Sequence, residues 1–289
     1  MTQAVLAIAA VLLLAVAGLY LVNRPVTIRI DAPAPADLPA DGFPHADFEA
    51  LLARYVDGEG RVDYGRWHAT PADRQRLASY LAAAALVSPD NAPARFPTAG
   101  DELAYWMNVY NAAVIHGVLA NWPLDSVTDV RAPLEIVRGL GFFWRQRYLF
   151  GGEALSLLDV ENDRIRKRHR DARIHFVLNC GSESCPVLRP ELPDGAALEP
   201  YLARAAQDFV TDPRNVEIDH DARAVRLSAI FKWYRKDFLR DLRLAGRPAD
   251  HDLVDYLRMV APESLRAELA AAGDYAIEFR DYDWSVNGR

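Results

Sequence analysis

Asp101-Glu-Leu-Ala-Tyr-Trp-Met-Asn-Val-Tyr-Asn-Ala-Ala-Val-Ile-His-Gly-Val-Leu119 is the stretch on which the fold turns. It predicts one long, strongly apolar helix with Trp106, Tyr110, Ala113 and Gly117 on a single stripe, ended by Trp122-Pro123. Two amides interrupt it. Asn108 and Asn111 are three apart and share a face. An amide buried among apolar groups needs partners. The pair therefore either ties the helix to neighbouring backbone, such as the loop carrying the cysteines, or binds substrate or orients a catalytic group.

On the N-terminal side, Phe48–Val56 and residues 72–87 read as helices separated by Asp57-Gly-Glu-Gly-Arg61, and residues 88–100 as a polar loop. On the C-terminal side, Arg147–Ser156 reads as a hairpin around Gly151-Gly152. Ser156–His169 reads as a helix with Ser156 and Asp159 as a capping pair. A strand-like stretch from Ile174 to Cys180 follows, then a helix over 197–210 and a hairpin of Val216–Asp219 with Ala224–Leu227. Ser228 caps a helix over Ala229–Phe238. Two helices over 249–272 end at Gly273, and a closing strand, Tyr275–Phe279, leads to the tail Asp281–Asn287. The mixture predicts an α+β fold: a single mixed domain with short hairpins and several packed helices, preceded by one N-terminal transmembrane helix.

The chain has 289 residues, 51% hydrophobic and 25% charged, with a formal net charge of −7. That charge argues against a nucleic-acid partner. The basic run Arg164–Arg170 is read as the solvated C-terminal end of a helix. Residues 4–22 carry no charge, and as a helix they span roughly 28 Å, close to the hydrocarbon thickness of a bilayer. Membrane attachment through residues 4–22 is the expectation. A cleaved signal, with Ala15-Val-Ala17 as its processing site, is the rival. The division is 1–25 anchor or signal, 26–42 Ala/Pro-rich linker and 43–289 main domain, with that domain outside the cytoplasm.

The chemistry concentrates in Arg173-Ile-His-Phe-Val-Leu-Asn-Cys180-Gly-Ser-Glu-Ser-Cys185-Pro. Both cysteines of the chain lie here, in or beside a small-residue loop of the kind that presents reactive groups. Their spacing permits a local disulfide. Alternatively Cys185, or Cys180, is a nucleophile with His175 as base, one of Asn108, Asn111, Glu161 or Asp283 as orienting or substrate-binding group, and backbone N–H groups of 181–184 as an anion nest. On a straight strand His175 and Cys180 point to opposite faces, which leaves His116 as a distant alternative base. Lys232 is a candidate for binding an anionic group, although Ile230–Phe238 reads as core plus surface, with Asp237 solvated. No cofactor is implied, and the Cys/His spacing matches no familiar zinc pattern.

Four blocks together resemble the DUF547 family, a domain of unknown function: Ala104-Tyr-Trp-Met-Asn-Val-Tyr-Asn-Ala112, Ile174-His175 through Cys185-Pro186, Ile230-Phe-Lys-Trp-Tyr-Arg-Lys-Asp-Phe238, and Tyr282-Asp-Trp-Ser-Val-Asn287. Asp57–Tyr64 resembles the family's N-terminal block. Asn162 stands where the family pattern usually carries a histidine. The expectation is a membrane-anchored protein that is either a cysteine-dependent hydrolase or acyl-transferase acting on an amide or thioester, or a non-catalytic envelope binding module whose Cys180–Cys185 disulfide shapes a loop for a small-molecule or peptide ligand.

Overall fold

The fold comes from a computed structural model, which describes residues 2–247 and 252–288. It is a mixed α+β domain built round one helix. The N-terminal helix α1 (Thr2–Val22) precedes a two-residue strand, β1 (Val26–Thr27). Helices α2 (Ala46–Tyr55), α3 (Tyr64–His68) and α4 (Pro71–Leu86) lead to the central α5 (Ala99–Ala120). Strands β2 (Gln146–Phe150) and β3 (Glu153–Ser156) form the expected hairpin. Next come α6 (Leu157–Asp159), a widened π turn (Val160–Arg166) and α7 (Lys167–His169). Helix α8 (Leu198–Thr211) precedes the hairpin of β4 (Val216–Asp219) and β5 (Ala224–Leu227). Then follow α9 (Ala229–Trp233), α10 (Arg235–Leu244), α11 (Leu253–Val260), α12 (Glu263–Ala271) and β6 (Ala276–Phe279).

Two small sheets result, with strand orders β1-β2-β3 and β4-β5-β6; β1 pairs with β2 and β6 with β5 in parallel. Helix α5 starts one turn earlier than its apolar run, because Thr98 and Asp101 form a capping box. From Leu103 to Ile115 every residue of α5 is buried, as befits a helix that is apolar on all sides. The helix expected over Ala229–Phe238 divides at Tyr234. Of the segment expected to open the 249–272 pair, residues 249–251 lie outside the described residues.

The strand expected from Ile174 to Cys180 is absent. Ala172–Phe176 is a 3₁₀ helix, started by the Asp171 side chain accepting from Arg173 N. A short apolar run carries no period that separates strand from buried turn, and among the described residues no strand pairs with this run to complete a ladder. Among the described residues no helix is long and apolar enough to cross a membrane. Several positions of α1 (2–4, 7–8, 10–12 and 15) lie outside the residues whose side chains are described, so the expectation for residues 4–22 falls partly there.

The two amides of α5 have structural partners. Asn111 donates through Nδ2 to Val177 O (3.1 Å) and accepts at Oδ1 from Asn179 N (2.9 Å), while Asn108 donates to Pro193 O (3.1 Å). Replacing Asn111 by Leu strands a buried donor and a buried acceptor; replacing Asn108 by Leu strands one acceptor. At ~1–3 kcal/mol per stranded group, Asn111→Leu is expected to destabilise the fold about twice as much as Asn108→Leu in denaturant unfolding. Equal losses would contradict this account.

Burial also pushes three imidazoles, His45, His116 and His175, down to about 4. Each is neutral when folded and titrates near 6.5 when unfolded. Their contribution to stability is therefore complete above about 6.5 and is lost as pH falls towards 4. Glu161, which burial holds above its ordinary value, opposes them. Unfolding at pH 5 is expected to take up on the order of two protons, read from the slope of unfolding free energy against pH. A flat profile between pH 4 and 6.5 would refute the neutral-ring assignment.

Candidate active site

The cysteine loop is held from three directions. Asn179 donates to Pro186 O (2.8 Å) and accepts from Gly181 N (2.8 Å), which closes the loop on itself. Asn111 grips it from α5. The C-terminal tail lies along its outer edge: Glu183 N donates to Ser285 O, Ser184 N to Asp283 O and Asn287 N to Gly181 O. Gly181 needs its missing side chain, with φ at +80° and Val114, Val118 and Val127 all packed within 3.3 Å of where a Cβ would sit. Cys180 and Cys185 form a disulfide, their Cα atoms 6.2 Å apart, and no described cysteine is free. Of the expected anion nest, the N–H groups of Gly181, Glu183 and Ser184 already have protein acceptors.

Both cysteines face a cavity of about 280 Å³. One side of it is apolar: Leu140, Phe143 and Leu178, with Trp233 and Trp284 stacked at 5.7 Å and Tyr282 against both. The polar part of the lining is Glu161, His175, Tyr110 and Tyr234 together with the two sulfurs. The Tyr282 hydroxyl lies 3.2 Å from each sulfur. Ser182 Oγ is 2.9 Å from Cys180 Sγ, and Cys180 N–H points at Cys185 Sγ at 2.8 Å.

His175 and Cys180 reach the same cavity, against the opposite-face expectation, because the 3₁₀ turn replaces the straight strand. His175 Nε2 donates to Asp237 Oδ2 at 2.9 Å, and its ring stacks on Tyr234 at 3.8 Å. That bond assigns the tautomer and leaves Nδ1 without a protein partner among the described residues. Burial drives His175 down to about 4 against the pull of Asp237. Asp237 is buried rather than solvated. Burial alone would raise its pKa, but the bonds from His175 and from Arg166 Nε (2.8 Å), with the Arg166 charge, hold it well below the carboxylate range. The widened turn of 160–166 brings Arg166 and Glu161 towards one side. Arg166 lies 4.9 Å from the Tyr234 ring centroid, and Glu161 hydrogen-bonds to Tyr234.

Of the other candidates, Asn108 and Asn111 support backbone and do not line the cavity. Asp283 is exposed and caps Ser285 N and Oγ. His116 pairs with Tyr148 OH (3.1 Å), and Lys232 lies 5.9 Å from the Phe279 ring centroid; neither reaches the cavity. Asn162 bonds Leu158 O and Arg166 within its own helix. Among the described residues no group of three or more His, Cys, Asp or Glu is placed to hold a metal ion. The segment read as core plus surface supplies Ile230, Trp233 and Tyr234 to the cavity and Asp237 to His175. The signal was present in the spacing, since positions 230, 233, 234 and 237 share one helical face.

No curated protein and no solved structure matches this chain. Residues 96–210 match the model of one family, described as protein of unknown function, DUF547. That span, which holds α5, Glu161, His175 and both cysteines, is similar to the DUF547 family, in agreement with the resemblance of its motifs.

Proposed function

We propose that this protein is a membrane-anchored, cysteine-dependent acyl hydrolase or acyl-transferase whose thiol is stored as the Cys180–Cys185 disulfide. The observation that carries the reading is the meeting, in one apolar-walled cavity, of both sulfurs with a neutral His175 oriented by Asp237. A dithiol reductant supplies two electrons and two protons and opens the disulfide to two thiols. Cys185 is the favoured nucleophile, because Cys180 N–H is aimed at its sulfur and a hydrogen bond to a thiolate lowers its pKa. His175, in its basic form at neutral pH, takes the thiol proton. The thiolate attacks the carbonyl carbon of a thioester or amide, the bond to the leaving thiol or amine breaks as that group takes the proton, and water or an acceptor then releases the acyl group from Cys185.

The anchor is α1. Leu6, Leu13, Leu14 and Leu21 are each more than 60% exposed to solvent, an unfavourable state for an apolar helix that a bilayer relieves. A disulfide suits a domain on the oxidising side of that membrane. One observation favours a second reading: the closed disulfide is also what a non-catalytic binding module with a loop-shaping crosslink would carry.

One experiment separates them. The full chain, oxidised or reduced, is titrated with iodoacetamide against pH and assayed with a small acyl-thioester probe. After reduction, Cys185 is expected to titrate well below the ordinary 8.5 of a thiol, and Cys185→Ala is expected to slow probe hydrolysis by at least about 100-fold, in the range of lost nucleophiles. Both thiols titrating near 8.5, with hydrolysis equal in wild type and Cys185→Ala, would leave the binding module as the correct description.

A further inference from the structure

Residues 133–140 form a loop that is built inside out. The Glu135 carboxylate turns inward and accepts from Ala132 N (3.0 Å), Gly139 N (2.6 Å) and Leu140 N (3.1 Å). Its charge is thereby spent on the loop's own backbone, and the loop is held in one shape. What faces outward is apolar: Leu134, Ile136 and Val137 are 51%, 76% and 64% exposed. Three neighbouring exposed aliphatic side chains on an ordered loop are costly in water. Val137, Arg138 and Leu140 of the same loop line the cavity, beside Trp233, itself 47% exposed.

The loop is clamped to the end of the N-terminal helix. Asn23, one residue beyond α1 and almost wholly buried, donates through Nδ2 to Leu134 O (2.8 Å) and accepts at Oδ1 from Leu134 N (2.9 Å). Tyr20 meets Trp144 edge-on at 6.4 Å, just beyond the loop. An amide that answers both polar groups of one residue fixes the loop at the level where the apolar helix ends. Tyr and Trp at that level match the aromatic girdle of membrane-anchored proteins. Arg24 and Arg131, both exposed and within three residues of Asn23 or Leu134 in sequence, supply cations in a chain whose net charge is −7, where lipid phosphates would meet them.

We infer that Leu134, Ile136 and Val137 seat in the bilayer interface, so that the cavity opens onto the membrane surface. The inference rests on the anchor reading above and is independent of the thiol chemistry. It is tested with the full chain in phosphatidylcholine vesicles, plain or carrying brominated acyl chains. Flotation is measured first, then tryptophan fluorescence of Ile136→Trp against wild type, with Leu244→Trp, at an exposed site ending α10, as reference. The expected result is that the chain floats and that the fluorescence added at position 136 falls by more than half in brominated vesicles, while that added at 244 does not. A floating chain whose position 136 is quenched no more than 244 overturns the inference and leaves the anchor standing. A chain that does not float removes both.

Discussion

The contact on which the site depends is the double hydrogen bond of Asn111. Helix α5 is buried on every side from Leu103 to Ile115, and a polar side chain there is tolerable only if fully answered. Asn111 finds its answer in Val177 O and Asn179 N, two backbone groups that flank the approach to Cys180. The cost of burying one amide thus fixes the cysteine loop against the buried central helix of the domain. Asn179 carries that order one step further, to Gly181, Pro186 and Asn287.

A second buried centre gathers round Asp237. Asp237 accepts from His175 and Arg166 at one oxygen and from Arg240 at the other. A carboxylate with a guanidinium on each side stays ionised despite its burial, and it holds His175 Nε2–H in place. Glu161, near the same Arg166, is pushed the other way by burial and by Asp237. Two carboxylates a short distance apart are driven in opposite directions by which of them receives the cations. The cavity wall thereby carries Glu161, which holds its proton more tightly, while the fixed anion Asp237 stands behind His175.

Much of this organisation was legible before any coordinates. The capping pair Ser156/Asp159, the Gly151-Gly152 turn and the 3.6 period of α5 are local signals, and each led to the right element. The run from Ile174 to Cys180 misled because a short apolar stretch reads alike as strand or as buried turn. That one error reversed the geometry of His175 with respect to Cys180. Asp237 was missed for a different reason. Its partner lies 62 positions away, and a motif of alternating aromatic and charged residues looks like an amphipathic surface helix until something packs on its polar edge. Pairings of that range are set by tertiary packing, which local periodicity does not encode.

Tyr282 and Trp284 form one side of the cavity, Asn287 bonds Tyr64 and Asn179, and Val62 N donates to Asn287 O. The residues that complete the site thus leave the ribosome long after the cysteines they touch, 102 positions behind Cys180 and 97 behind Cys185. A chain interrupted anywhere before Tyr282 lacks the hydroxyl that touches both sulfurs and the aromatic wall beside them. Vectorial synthesis therefore imposes an order here: the pocket closes only after residues 282–287 have emerged, about a hundred residues behind the cysteines it encloses.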